Sequence, residues 1–309
     1  MKDKKWNILS IVFTSLRILL VTSLIILLTI RLINKNNDEH NLLTTGQIII
    51  IIISFIFLIL INILLSLFVL ITFIFSDNFN FIKLFILALL TLNFEIIIHL
   101  LLNIKKYKNT KIFMKETNKW NIFNISIISL LLGLYLIIDF ISSFIPTLPF
   151  WISLSIKYVI LYFAAFIMSF FYVFILCFII GLLTLIMPGT SVMSPFQYLF
   201  DYFIPILAFS VAYFFRPVDN VKNKQINILQ WTIFVIMPML IVYFSRVISG
   251  VVFWLNPNVF DGVFFEFSWT GSVFAYSMIY NLFNSIIDCV ILIIFVPLIC
   301  IPLRHLRLK

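Results

Sequence analysis

The sequence predicts an all-α polytopic membrane protein: a six-helix membrane bundle preceded by about three extra transmembrane helices. Three observations carry that reading. Hydrophobic residues make up 63% of the chain and charged residues only 11%. Apolar runs recur that are longer than the roughly 20 residues a helix needs to cross a bilayer. The formal net charge of +9 is concentrated in short loops and tails. That is the positive-inside pattern and not a phosphate-binding surface, so a lipid bilayer is implied as partner and nucleic acid is excluded.

The first part of the chain, residues 1–104, is read as a membrane extension with apolar spans near 8–30, 47–75 and 81–104. MKDKK ahead of the first span resembles the start of a signal peptide, but no small-residue cleavage site follows, so the segment is read as uncleaved. Residues 105–120 form a basic linker, in which Lys105, Lys106, Lys108, Lys111, Lys115 and Lys119 face Glu116 alone, and the linker is assigned to the cytoplasm. Three crossings before it would place MKDKK outside. Either the segment containing Arg17 lies along the interface or the N-terminus is translocated against the rule, and both alternatives stand. Glu95 and His99, at i and i+4, form a structural pair, a proton-relay element or half of a metal site.

Residues 121–309 contain six further spans, near 121–140, 152–168, 170–187, 196–215, 228–254 and 273–303. Six crossings return Arg304, Arg307 and Lys309 to the cytoplasm. The loop of Arg216, Asp219, Lys222 and Lys224 also falls inside, and the loop carrying Asp261 and Glu266 falls outside. Cys177, Cys289 and Cys300 all lie in apolar segments without CxxC spacing, which suggests small buried hydrophobes and neither a disulfide framework nor a zinc site. No metal or cofactor is implied.

Polar groups inside apolar helices mark where function is to be sought, because an amide or charge facing lipid costs kilocalories. Ser277, Asn281, Asn284 and Asp288 fall at i, i+4, i+7 and i+11 and share one helix face, as do Arg246, Gly250, Phe253 and Trp254. A cation or amide could be gripped between two such faces, and polar packing between helices gives the same stripe.

At these residues, 121–309 resembles the thiamine-specific substrate-binding component, or S component, of energy-coupling-factor transporters. The family's site residue three before Ser-Gly, with Trp four after the Gly, is met by Arg246, Ser249, Gly250 and Trp254. Its YSxxYN signature stands at Tyr276, Ser277, Tyr280 and Asn281, with Asp288 seven further on. A second block, Pro-x-Gln followed by an acidic residue and Tyr, is Pro195, Gln197, Asp201 and Tyr202, continued by Leu207, Ala208 and Phe209. NISIISLLLGLYLIIDF and the ISLS at 152–155 fit more loosely.

The resemblance implies a bundle that captures thiamine near the outer face of the cell membrane, under extracellular loops. Asp201 would face the cationic, amino-bearing ligand; Tyr202, Trp254 and Tyr276 would supply aromatic faces, and Asn281 an amide. A thiazolium on such faces gains about 0.5–2 kcal/mol. The resemblance also implies a coupling module of two cytoplasmic ATPase subunits and one transmembrane scaffold. Ser129 and Gly133 keep the family's small-x-x-x-small spacing for docking on that scaffold, a spacing that also serves packing within a chain.

Four departures set this chain apart. Arg246 replaces a usual His, Ser191 a usual Tyr, and Asp201 a common Glu, while AAFIMSFF lacks the usual glycines and basic residues. Arg246 has two readings: the guanidinium pairs with Asp201 or Asp288, or it reads an anionic group on thiamine phosphate or diphosphate. Trp254 is alternatively an interfacial anchor. An S component for a thiamine precursor or another vitamin is the nearest competing function. An enzyme is not expected, because the chain has no HExxH, GxSxG or GxxxxGK[ST], and His40, His99 and His305 lie in separate segments.

Overall fold

The computed structural model describes residues 4–38, 45–76, 81–103, 121–145, 155–218, 221, 223–254 and 272–306. The secondary structure among them is helical throughout, with no strand. The chain divides into two compact units, Met1–Thr117 with Pro217–Gln230, and Asn118–Arg216 with Trp231–Lys309. Six helices among the described residues are long and apolar enough to cross a membrane.

In the first unit, α1 (Lys4–Asp38) and α2 (Thr45–Phe75) are long helices that pack on each other. The run that the sequence reads as one span at 81–104 is instead two short helices, α3 (Phe81–Leu90) and α4 (Phe94–Leu102). The break has a backbone cause. Leu92 takes a left-handed φ of 55°. The amide of Leu92 donates to the Leu89 carbonyl at 3.1 Å and that of Asn93 to the Ala88 carbonyl at 2.9 Å, which together close a Schellman cap. Glycine is the usual residue at that position, and its absence hides the stop signal.

The two short helices fold back along each other. Leu84 and Ala88 of α3 share a buried cluster with Ile96 and Leu100 of α4 and with Val69 and Phe73 of α2. At the tip, Arg17 Nε donates to Asn93 Oδ1 at 3.1 Å and Arg17 Nη1 to the Thr91 carbonyl. Thr14 Oγ1 donates to Glu95 Oε1 at 2.9 Å. At the open end, His99 lies edge-on to Trp6 and Phe73, with ring centroids at 4.9 and 5.0 Å. Glu95 and His99 thus meet different neighbours, and no three metal-ligating residues cluster among the described residues.

The second unit holds α5 (Ile122–Ser142), α6 (Tyr158–Ile167), α7 (Phe170–Leu183), α8 (Pro195–Phe215), α9 (Lys224–Trp254) from Trp231 onward, and α10 (Val273–Cys300). These six fall where the sequence places six spans. Side-chain caps start three of them: Asn121 accepts from the Phe123 amide, Ser194 from the Gln197 amide at 3.0 Å, and Ser272 from the Ala275 amide. Of the six, α6 sits deepest, with Leu161, Tyr162, Ala164, Ala165 and Phe166 fully buried. The Tyr162 hydroxyl donates to the Val235 carbonyl, and Arg216 Nε donates to the Ala165 carbonyl near the end of α6, satisfying an acceptor the helix leaves open. Between α6 and α7 the chain is extended at Met168 and Ser169, so the turn that lacks the expected glycines is made without them.

Candidate ligand site in the second unit

Proline shapes the first wall of the site. Pro205 has no N–H to give the Asp201 carbonyl, and the helix widens to a π turn over Leu199–Phe203, in which the Ile204 amide donates to the Leu199 carbonyl. The Phe200 carbonyl within that turn accepts the Ser245 hydroxyl of α9 at 2.6 Å. The last turn of α9, Gly250–Trp254, is π as well. Two widened turns therefore carry Asp201, Tyr202 and Trp254.

Their side chains converge on one carboxylate oxygen. Asp201 Oδ2 accepts from Trp254 Nε1 at 2.7 Å and from Gln197 Nε2 at 2.8 Å, one turn earlier on the same helix. Asp201 Oδ1 accepts no hydrogen bond, and Asp201 makes no ion pair, among the described residues. The Tyr202 hydroxyl accepts from the Ser191 amide at 3.2 Å, and its ring stacks on Tyr198 at 5.8 Å. Tyr276 and Tyr280 stack at 6.3 Å on α10.

Three residues of the predicted polar stripe of α10, Ser277, Asn281 and Asp288, meet α9, while Asn284 Oδ1 is buried with no hydrogen-bond partner among the described residues. Asn281 Nδ2 donates to the Ser277 carbonyl at 3.0 Å and to the Arg246 carbonyl at 3.5 Å, and the Ser277 hydroxyl donates to the Val247 carbonyl at 3.0 Å. A Cβ on Gly250 would collide with Ser277 Oγ, so glycine is what lets the two helices approach here. The Asn281 amide nitrogen is thereby committed to the helix pair.

Of the two partners the sequence offers Arg246, the structure takes Asp288. Arg246 Nη1 lies 3.1 Å from Asp288 Oδ2, with the side chains 14% and 1% exposed. Asp288 also accepts from the Ser155 amide at 3.2 Å and the Ser155 hydroxyl at 3.1 Å, and Arg246 Nη2 reaches the Tyr158 hydroxyl at 3.5 Å. A buried pair survives when its remaining donors and acceptors are met, as they are here. A second ion pair that the sequence reading passed over joins Lys157 Nζ to Asp139 Oδ1 at 2.6 Å. An Asp inside the apolar run of α5 and a Lys beside ISLS were its readable signals.

An α-helical bundle with paired charges inside its apolar layers, and a carboxylate between two widened helix turns, defines a polytopic membrane protein. The family described as Thiamine transporter protein (Thia_YuaJ) matches residues 125–308, and the chain belongs to it. Its role is that of a thiamine S component in a multi-pass membrane setting. The solved structure of ThiT from Listeria monocytogenes is similar at 16% identity and a TM-score of 0.45, over 60% of this chain and 98% of that one. No curated protein sequence matches. Residues ahead of 125 lie outside the family match.

If Arg246 serves to neutralise Asp288, breaking the pair hurts more than deleting it. Asp288→Asn should destabilise the purified protein by about 3–5 kcal/mol, and Arg246→Met with Asp288→Leu by clearly less. Thermal unfolding in detergent reads the difference; equal losses would count against the pairing role.

Proposed function

We propose that the second unit captures thiamine near the outer face of the cell membrane, in a site built from Asp201, Tyr202, Arg246, Trp254, Tyr276 and Asn281. The loaded unit then delivers thiamine inward when docked on an ATP-driven coupling module of one transmembrane scaffold and two ATPase subunits. The observation that carries the reading is the direct hydrogen bond between Trp254 and Asp201 at 2.7 Å, a carboxylate and a π-face brought together. Charge balance supports it. Arg246 is matched by Asp288 and Lys157 by Asp139, which leaves Asp201 as the uncompensated charge of the group. A permanent monocation such as a thiazolium supplies what is missing, and the open Oδ1 of Asp201 can accept from the aminopyrimidine.

With Asp201 turned to Trp254 and Arg246 already engaged, a cationic ligand fits better than an anionic vitamin. Residues 255–271, which the sequence assigns to an outer loop over this end, lie outside the described residues, as does the C-terminal tail assigned to the cytoplasm. Docking has its own support on α5. Ser129 is exposed, and nothing lies within 4 Å of a Cβ placed on Gly133, so the small-x-x-x-small pair leaves room for another helix.

Equilibrium binding of thiamine to detergent-purified protein, followed by intrinsic fluorescence, tests capture. Wild type should bind tightly, and Asp201→Asn and Trp254→Ala should each weaken binding by about tenfold or more; a folded wild type that ignores thiamine overturns the assignment. Docking is tested separately by Gly133→Trp, which should abolish uptake in cells while leaving thiamine affinity intact. Loss of both would argue against a docking role for this face.

A further inference from the structure

We propose that Asp139 and Tyr135 form a second, hydroxyl-reading end of the ligand site, and that Asp139 makes the site prefer thiamine over its phosphate esters. The proposal rests on the thiamine reading above and adds the subsite that reads the ligand's other end. The two residues lie one turn apart on the buried face of α5, with Tyr135 fully buried and Asp139 at 6% exposure. Asp139 Oδ1 is taken by Lys157. Asp139 Oδ2 and the Tyr135 hydroxyl are both buried, and neither has a hydrogen-bond partner among the described residues. An orphaned acceptor and an orphaned hydroxyl on one face are costly unless something polar completes them.

The neighbours tie this pair to the candidate site. Lys157, whose Nζ holds Asp139 Oδ1 at 2.6 Å, also lies 6.0 Å from the ring of Tyr158, and the Tyr158 hydroxyl accepts from Arg246 Nη2 at 3.5 Å. The site then has two carboxylates with different tasks. Asp201, bonded by a Trp and a Gln, carries uncompensated charge for a cation. Asp139, neutralised by Lys157, offers a bare acceptor beside a phenol, the complement of a neutral hydroxyl that donates once and accepts once. Thiamine ends its side arm in such a hydroxyl. A phosphate ester there removes the donor and sets its oxygens against Asp139 Oδ2, an acceptor facing acceptors.

The test measures affinities for thiamine, thiamine monophosphate and an analogue whose side arm ends in methyl. The proteins are wild type, Tyr135→Phe, and the charge-neutral double variant Asp139→Asn with Lys157→Gln; melting without ligand controls for folding. Wild type should favour thiamine over both other ligands by about tenfold or more. Tyr135→Phe should lose affinity for thiamine and not for the methyl analogue, and the double variant should narrow the gap to the monophosphate. Unchanged preferences in variants that fold and bind thiamine would overturn the proposal. A wild type that binds none of the three overturns the thiamine reading itself, a separate failure.

The geometry of the first unit points independently to a membrane topology: α3 and α4 form a re-entrant hairpin that enters and leaves the membrane on one side. With 10 and 9 residues, each spans about 15 Å as a helix, half of the roughly 30 Å hydrocarbon layer. Their tip meets Thr14 and Arg17, inside the apolar stretch Trp6–Arg31 of α1. Their open end meets Trp6, near the start of α1, and Phe73, near the end of α2. The first unit thus crosses twice and dips once. That arrangement puts the start of α1 and the end of α4 on one side, so the basic sequence adjoining each end is consistent with the positive-inside rule without a translocated N-terminus.

Single cysteines at Lys4, Asp38, Ser76 and Asn103, in a chain with its three native cysteines replaced by alanine, report the sides through a membrane-impermeant maleimide on right-side-out and inverted vesicles. Labelling of Lys4→Cys, Ser76→Cys and Asn103→Cys from one side and Asp38→Cys from the other is expected. Labelling of Ser76→Cys and Asn103→Cys from opposite sides would overturn re-entry.

Discussion

A polar group in an apolar layer must find its partner inside the protein, because lipid offers none. In both units the charged residues are placed by that demand. Arg17 is held by the Asn93 side chain and the Thr91 carbonyl, Arg246 by Asp288 and Tyr158, and Asp288 in turn by Ser155. The helices these residues join are thereby fixed in register as well as in contact. Ser155 comes just ahead of α6, Arg246 lies on α9 and Asp288 on α10, so a single ionic cluster gathers three parts of the second unit.

The same demand explains why the helices around Asp201 are irregular. A regular helix keeps its carbonyls occupied and its side chains at fixed spacing; a proline at 205 frees a carbonyl and lets the turn widen. The Phe200 carbonyl, passed over when the Ile204 amide turns to Leu199, is met instead by the Ser245 hydroxyl. In exchange, Asp201 and Tyr202 stand on a wider turn opposite the matching π turn of Trp254. Regularity given up at these two places is what brings a carboxylate and an indole into hydrogen-bonding range.

Much of this was legible in the sequence, and the remainder was hidden for definite reasons. Apolar run lengths located the helices of the second unit, and motif spacing singled out Asp201 and Trp254, which the structure joins. Arg246 was legible as a charge needing a counterion, but two aspartates lay within reach on different helices, and only packing decides between them. The hairpin at Leu92 was not legible, because a leucine occupies the left-handed position where a glycine would have announced a stop, and its flanks are as apolar as a continuous span. Asp139 and Lys157 were overlooked for another reason. They flank a stretch that includes 146–154, and no periodicity links partners 18 residues apart across a loop.

If Asp201 captures the ligand as proposed, its arrangement ties capture to shape. Its Oδ2 oxygen is held by donors from two helices, Gln197 on α8 and Trp254 on α9, while Oδ1 is left open. The carboxylate is therefore oriented before any ligand arrives, so little rotamer entropy remains to be lost on binding. Its charge, however, is met only by neutral donors, and a cation at Oδ1 gains what a fixed Lys or Arg would otherwise have taken. A ligand that completes this charge also strengthens the bridge between α8 and α9, because each hydrogen bond to a polarised carboxylate reinforces the next. On the proposed reading, occupancy and helix packing at Asp201 are thus coupled through one side chain, the one that Trp254 already holds from α9.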